Sequence, residues 1–323
     1  MAKVDILVPE PVHAHTLATL DRDFATHHLW EAPDQEALLG GIGARIRGLA
    51  RGYHMTIGRP LLERLPNLEI IANFGVGYDG IDVHYAAENG IIVTNTPDVL
   101  TEEVADTALG LLIMTVRELS AAERYVRAGG WAKTGNYRLT PGSLRDRTVG
   151  MVGLGRIGAA IARRLDAAAI PVAYHTRNKR PDVAYRHYAD LREMAEAVDT
   201  LLVIVPGNAA TRHLIDASIL KALGPRGVLI NVGRGMVVDE AALIEALQTK
   251  TILAAGLDVF VDEPNVPEAL LAMDNVVLLP HVGSASMHTR DAMGQLMVDN
   301  LKSWFAAGKP LTPVAETPWP RQK

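Results

Sequence analysis

Gly153-Leu154-Gly155-Arg156-Ile157-Gly158 spells G-x-G-x-x-G, directly after the apolar run TVGMV and at the head of an Ala-rich helical pattern. In that setting the first glycine permits a tight turn and the second lets backbone approach a pyrophosphate. The third allows close helix–strand packing, and the helix N-terminus attracts the anion. The motif alone is weak, but its strand–turn–helix context makes all six residues candidates for holding a dinucleotide. About 20 residues beyond the glycines, an acid would bond the ribose hydroxyls of NAD, whereas Arg would accommodate a 2′-phosphate. The chain has Tyr174-His175-Thr176-Arg177-Asn178-Lys179-Arg180 there, with no acid before Asp182. Thr176 can hydrogen-bond a phosphate and Arg177 can pair with it through charge and planar geometry. NADP is therefore expected rather than NAD. A solvated basic loop is the plain alternative, and the missing acid weighs more than the arginines present.

Three further segments put ionisable residues just after apolar runs: Asn231-Val232-Gly233-Arg234-Gly235, Asp258 to Pro264, and Pro280-His281-Val282-Gly283-Ser284. Ligands of open α/β sheets bind at strand carboxyl ends, so these three ends could converge on one cleft. Taken singly, Arg234 reads equally well as an ion-pair partner, Glu263 as a turn acid before Pro264, and His281 as a loop histidine. Their arrival together at matched strand ends argues against coincidence.

The elements that must carry these residues follow from periodicity. Val4 to Val8, Leu68 to Ala72 and Ile91 to Val93 are short apolar runs of buried-strand type. Helical patterns lie near Thr16 to Leu20 and Gln35 to Leu39, so residues 1–100 read as a small α/β block. Thr101 to Leu119 reads as a mostly apolar helix with Thr101 as N-cap and Glu102 and Glu103 in its first turn. A polar stretch, Arg124 to Arg147, is too long for a casual loop and suggests an arm, near 120–147, that meets another subunit. From Thr148 onward, strands (Ile170 to His175, Thr200 to Val205, Gly227 to Val232, Ala254 to Phe260, Val276 to Leu279) alternate with helices (Arg156 to Ala168, Leu191 to Ala197, Asp216 to Leu223, Asp239 to Gln248). That alternation means a doubly wound parallel sheet. A last helix, Met287 to Ala307, has the length to return to the N-terminal block.

Composition limits the possibilities. With 323 residues, 48% apolar and 21% charged, the chain is globular and long enough for about two domains. Aromatics are only 5%, so Ala, Val, Ile and Leu must fill the cores, as in helix-covered parallel sheets. A net charge of −5 supplies no electrostatic reason to expect nucleic acid or an anionic membrane. The absence of cysteine excludes disulfides, a thiolate nucleophile and cysteine-bound metal. The start, MAKVDILVPEPVHAH, does not read as a signal peptide, and the longest apolar window, Ala108 to Val116, is short for a membrane span. The cytoplasm is the expected compartment. His13, His15, His27 and His28 read as surface or structural, and no grouping has metal-ligand spacing.

GLGRIG, NVGRG, GLDVFVDEP and LPHVGSAS, in this order, resemble the D-isomer-specific 2-hydroxyacid dehydrogenase family. FGVGYDGID and GIIVTNTPDVLTEEVAD extend the likeness into the first half. Within the family the HTRNK, ALGPRGVLINVGRG and VLLPHVGSAS runs look most like the NADPH-dependent glyoxylate, hydroxypyruvate and hydroxyphenylpyruvate reductases. The resemblance implies a Rossmann-type NAD(P)-binding domain (101–287) inserted into a flavodoxin-like substrate domain (1–100 and 288–323), with a split active site, in a homodimer. It implies Arg234 as anchor of carboxylate and carbonyl, His281 as general acid, and Glu263 as the residue orienting the imidazole. An α-keto acid reduced by hydride needs such an anion anchor and proton donor.

The likeness also implies that backbone amides near Val76 and Gly77 hold the substrate carboxylate. Thr101 would touch the cofactor, Val205 and Pro206 would lie by the adenosine or ribose, Val232 and Asp258 would approach the nicotinamide, and Gly233 and Gly283 would also bind the cofactor. Met55 and Trp131 are candidate pocket walls, although Met is more often core and Trp131 serves interface packing equally well. The expected activity is NADPH-dependent reduction of small 2-keto acids, such as glyoxylate and hydroxypyruvate, to D-2-hydroxy acids. The rivals are reduction of hydroxyphenylpyruvate, another dehydrogenase of the family, and a nucleotide-sensing binding protein like the corepressors that share the fold.

Overall fold

The computed structural model describes residues 3–145 and 147–320; the spans above also take in Met1, Ala2, Asp146 and 321–323, which lie outside the described residues. Contacts divide the chain into two compact units, Met1–Leu100 with Ser286–Lys323, and Thr101–Ala285. The first contains β1 (Asp5–Val8), α1 (Ala14–Asp23), β2 (Ala25–His28), α2 (Gln35–Ile42), β3 (Gly48–Arg51), α3 (Arg59–Leu62), β4 (Ile70–Asn73), α4 (Val83–Glu88) and β5 (Ile92–Thr94). All its strand pairs are parallel, in the order β2-β1-β3-β4-β5. This is the flavodoxin-like order, with its topological switch between β1 and β3.

The second unit opens with α5 (Thr101–Val116), α6 (Leu119–Arg127) and α7 (Gly130–Thr134), then β6 (Val149–Val152), α8 (Arg156–Ala167), β7 (Val172–His175), β8 (Arg186–Tyr188) and α9 (Leu191–Ala197). It continues through β9 (Thr200–Val203), α10 (Ala217–Leu223), β10 (Val228–Asn231), α11 (Glu240–Gln248), β11 (Ala254–Leu257), α12 (Glu268–Leu271) and β12 (Val276–Leu278). Its parallel sheet runs β12-β11-β10-β9-β6-β7-β8, a Rossmann order with one added strand and its switch between β6 and β9. Strands β6, β9, β10 and β11 are buried throughout, as expected when helices cover both faces. α5 lies on one face, where Ala105, Ala108, Leu111 and Leu112 join Ile161, Leu165 and Ile230 in one core. Arg164 ties it to α8 by ion pairs of 2.7 Å to both Glu102 and Asp106.

Asp190, Asp216 and Asp239 accept backbone N–H bonds at the starts of α9, α10 and α11, so each helix begins where a short acid can cap it. α13 (Met287–Ala307), capped by Ser286, returns to the first unit and packs on α1 and β4. Its Gly294 is required by that crossing, because a Cβ there would overlap the Thr16 hydroxyl. Asn300 fastens the chain beyond the helix. Wholly buried, its Oδ1 accepts from the amides of Leu311 and Thr312 at 2.9 and 3.0 Å, and its Nδ2 donates to Leu296 and Thr312.

Several expectations are corrected. Thr101 is the first residue of α5 rather than its N-cap. The stretch read as a polar arm begins with two helices, α6 and α7. β2, β3 and β8 have no apolar run in the sequence: ATHH, GLAR and RHY become strands only by pairing with β1, β1 and β4, and β7. His27 and His28 thus sit in a strand, bonded to Asp5 and Asp21.

Replacing Asn300 by the similarly sized Leu leaves the part-buried amides of Leu311 and Thr312 without their acceptor. Asn300→Leu should lower unfolding free energy by about 2–4 kcal/mol, read from urea midpoints at unchanged m-value.

Candidate active site

Five adjacent parallel strands of the second unit end on the same edge, so their following loops line up in sheet order. From β12 through β11, β10 and β9 to β6, these ends carry His281, Asp258 with Glu263, Arg234, Val205 and the glycine turn. Four strand spacings separate the first from the last, roughly 19 Å, a row suited to an elongated ligand.

The glycine turn has the geometry a pyrophosphate needs. Gly153 has φ +101°, and a Cβ on it would lie 2.7 Å from the Ile204 carbonyl oxygen. A Cβ on Gly158 would lie 2.6 Å from the Gly153 carbonyl oxygen, so α8 rests directly on the turn. Around Gly155 there is open space instead, with no atom within 4 Å of the position a Cβ would take. α8 starts at Gly155 with no capping side chain, leaving its N-terminal dipole for an anion. The residues present therefore fit a dinucleotide.

In the loop after β7, Arg177 and Lys179 are exposed, but Arg180 is committed: it donates to the Leu154 carbonyl at 2.5 Å and pairs with Asp182. Thr176 donates to the Asn178 carbonyl at 2.7 Å, shaping the loop. No acid stands at the end of β7.

Arg234 follows β10 on a backbone held by the buried Asn231, whose Oδ1 accepts from Gly233 N–H at 3.1 Å and whose Nδ2 donates to the Arg234 carbonyl at 3.0 Å. On one side Gly233 must be glycine, since a Cβ would lie 2.9 Å from the Val205 carbonyl oxygen. On the other, a Cβ on Gly235 would run into the Phe260 carbonyl. The Arg234 loop is thus wedged between the ends of β9 and β11. Val205 packs against one core of the unit, Val232 is buried in the other, and Pro206 is exposed.

His281 Nδ1 is 2.7 Å from Glu263 Oε2, and Glu263 Oε1 accepts from the Phe260 amide at 3.0 Å. The His281 Nε2 has no partner among the described residues, and the ring is about half exposed. Burial pushes the Glu263 carboxyl up, but the bond and charge of His281, the Phe260 amide and the Arg234 charge outweigh it and hold the carboxyl below its ordinary value. His281 has a left-handed backbone, φ +53°, imposed by Asp258. The buried Asp258 carboxylate accepts from Val282 N–H at 2.7 Å and Gly283 N–H at 2.8 Å, while its carbonyl accepts from His281 N–H at 2.9 Å. Burial raises the Asp258 carboxyl, and the two amides and the His281 ring only partly offset that. Thr107 on α5 bonds the Gly283 carbonyl at 3.3 Å, and Thr101 begins the same helix.

Val76 and Gly77 belong to the first unit, in the turn after β4. Asn73 Nδ2 donates to the Gly75 and Gly77 carbonyls at 3.1 and 3.0 Å, and Asn95 Nδ2 to the Val76 carbonyl at 2.9 Å. Their carbonyls are tied down while their amides have no acceptor among the described residues, which is the arrangement of an anion cradle. The buried Arg51 supports it, donating to Asn73 Oδ1 at 2.6 Å and to the Met55 carbonyl at 2.8 Å. Glu10, from beyond β1, accepts from the His54 and Met55 amides at 3.0 to 3.2 Å. Arg51, Asn73, Asn95, Glu10 and Asn231 escaped the reading of the sequence, because nothing local separates a polar residue that bonds distant backbone from one that faces water.

Among the described residues no helix is long and apolar enough to cross a membrane. Residues 109–283 match the model of the D-isomer specific 2-hydroxyacid dehydrogenase NAD binding domain. The chain is 44% identical over 314 residues to glyoxylate/hydroxypyruvate reductase A HPR2 of Arabidopsis thaliana, covering 97% of this chain and 100% of that protein. It is 42% identical over 315 residues to the hydroxyphenylpyruvate reductase of Plectranthus scutellarioides, with 97% and 100% covered. Among solved structures, the NADPH-dependent glyoxylate/hydroxypyruvate reductase SmGhrB of Sinorhizobium meliloti, in complex with NADP and malonate, superposes with a TM-score of 0.93 at 54% identity, covering 100% of both chains. By sequence and by fold, this chain belongs to the D-isomer specific 2-hydroxyacid dehydrogenase family.

Proposed function

We propose that this enzyme reduces small 2-keto acids, glyoxylate and hydroxypyruvate first among them, to D-2-hydroxy acids with NADPH. The observation that carries the reading is the His281–Glu263 pair at 2.7 Å, which leaves Nε2 of His281 for a substrate oxygen beside Arg234.

The amides of the turn Gly153 to Gly158 and the N-terminus of α8 would hold the pyrophosphate. Thr176 and Arg177 would take the 2′-phosphate, Val205 and Pro206 would flank the adenosine or ribose, and Thr101, Val232, Gly233, Asp258 and Gly283 would line the nicotinamide end. When bound, NADPH supplies a hydride to the substrate's carbonyl carbon. Arg234, a permanently charged planar fork, orients the keto acid and draws electron density toward the carbonyl oxygen. His281 gives that oxygen its proton from Nε2, and Glu263 holds the ring at Nδ1 and fixes its tautomer. Val76 and Gly77 amides bind the substrate carboxylate. The relatives support the substrate class: two are reductases of glyoxylate and hydroxypyruvate by name, and one of these was solved with NADP and a small dicarboxylate. A second copy of the chain would cover the arm, where Trp131 and Leu139 are 62% and 95% exposed.

His281→Ala should lower kcat on glyoxylate by roughly 10²–10⁴-fold while NADPH binding, followed by fluorescence titration, stays near wild type; lost cofactor binding would contradict the proton-donor role. Arg177→Ala should raise the KM for NADPH well above any change for NADH, and an equal effect on both would remove the 2′-phosphate assignment. Glu263 is held below its ordinary pKa, so the unfolded chain takes up its proton first. Its pairing therefore stabilises the fold fully above the ordinary carboxylate range and loses that contribution as pH falls through and below it. Urea midpoints should accordingly separate wild type from Glu263→Gln at pH 7 and draw together toward pH 4.

A further inference from the structure

Arg290 carries a charge that no carboxylate answers. It lies in the first turn of α13, where the helix dipole favours anions over cations. That turn has no acidic residue, and Asp291 faces His13 at 3.3 Å instead. Among the described residues Arg290 has no ion-pair partner. Its guanidinium sits over the Tyr53 ring, 4.5 Å from the centroid, and 5.8 Å from that of Phe74. The two rings meet edge-on at 4.8 Å. The guanidinium also hydrogen-bonds the Tyr53 side chain, and the two rings hold it in place without using its other N–H donors. Burial pushes the Tyr53 hydroxyl pKa up, and the Arg290 charge pulls it part of the way back, so the cation acts directly on this ring.

The surroundings are fixed and belong to the first unit. Phe74 is buried and directly precedes the Gly75-Val76-Gly77 turn, in which the Gly75 amide donates to the Thr96 hydroxyl and the Val76 and Gly77 amides have no acceptor among the described residues. Tyr53 lies in the loop that Glu10 and Arg51 lock by bonds to the His54 and Met55 backbone. A guanidinium held by Tyr53 and Phe74, with no carboxylate partner among the described residues, therefore stands at the residue that leads into the anion cradle. A cation set against the helix dipole with no carboxylate to answer it is where function is expected.

We infer that Arg290 is a specificity residue that binds the far end of the substrate, a hydroxyl or second carboxylate on a 2-keto acid whose first carboxylate lies on Val76 and Gly77. The inference rests on the keto-acid reading above and adds a second recognition point to it. Tyr53 and Phe74 set the plane of the guanidinium, and its edge N–H groups donate to the distal oxygens. Glyoxylate has no such end and does not use Arg290. An apolar side chain would desolvate the cation without replacing its hydrogen bonds and is disfavoured.

The test compares wild type, Arg290→Met and Arg290→Lys on glyoxylate, hydroxypyruvate and oxaloacetate with NADPH. Met still covers the rings, and Lys keeps the charge without the fork. Arg290→Met should lose roughly 10- to 100-fold in kcat/KM on hydroxypyruvate and oxaloacetate, mostly through KM, with glyoxylate near wild type. Arg290→Lys should recover part of the oxaloacetate loss. An equal loss on all three substrates, or none on any, overturns the assignment. A readout without turnover keeps the two proposals apart: the rise in melting temperature caused by tartronate against that caused by glycolate, both with NADP. If wild type reduces none of the keto acids, the functional reading fails by itself. Selective loss of the tartronate shift in Arg290→Met would still support Arg290 as the distal anchor, and equal shifts in both proteins would refute it.

Discussion

The buried carboxylate of Asp258 is the contact on which the candidate-site edge of the second unit depends. β11 and β12 run parallel and stop at the same edge, so the chain leaving β12 turns across the end of β11 with its amides away from water. Asp258 takes two of them, those of Val282 and Gly283, and its own carbonyl takes the amide of His281. Three bonds from one residue hold His281 in a left-handed conformation that its side chain would not choose. From there Nδ1 meets Glu263, and Nε2 is turned outward. The desolvation that raises the Asp258 carboxyl is the physical cost of fixing the loop so tightly.

Both units use this device. Where a buried strand ends, the next few backbone groups can reach neither a ladder partner nor solvent, and they must be satisfied by side chains. Asn231 does so for the Arg234 loop, Asn73 and Asn95 for the turn at Val76 and Gly77, and Glu10 and Arg51 for the loop that carries Tyr53. The result is that the candidate ligand-binding groups are placed on rigid supports by neighbouring polar side chains. Glycines serve the same end by letting loops touch: Gly235 against Phe260 and Gly233 against Val205 bind the Arg234 and Glu263 loops into one body.

The glycine turn illustrates how one motif divides its labour. Gly153 and Gly158 are required by contacts within the protein, the first by its positive φ and the Ile204 carbonyl, the second by α8 resting on the turn. Gly155 is required by nothing in the protein, because the space beside it is open. That open space is the structural sign that the turn exists to receive a ligand.

Much of this was legible in the residues themselves. Buried parallel strands write themselves as continuous apolar runs, so β1, β4, β6, β9, β10 and β11 could be read one by one. Arg234, Glu263 and His281 stood out because each follows an apolar run at a strand end, while the roles expected of them came from the family resemblance. β2, β3 and β8 were not visible, since ATHH, GLAR and RHY have no strand pattern of their own and are held by a neighbouring strand. Nor were Asn231, Asn73, Arg51 and Arg290, whose partners lie on other elements: an unanswered cation over two rings has no signature along the chain. The sequence by itself determined the class of fold, the glycine turn, the missing acid after β7 and the identity of the ionisable groups, because these are matters of residue type and local period. Only the tertiary structure decided which polar side chains are spent on backbone and which face outward, because that depends on long-range packing of strand ends that no local window contains.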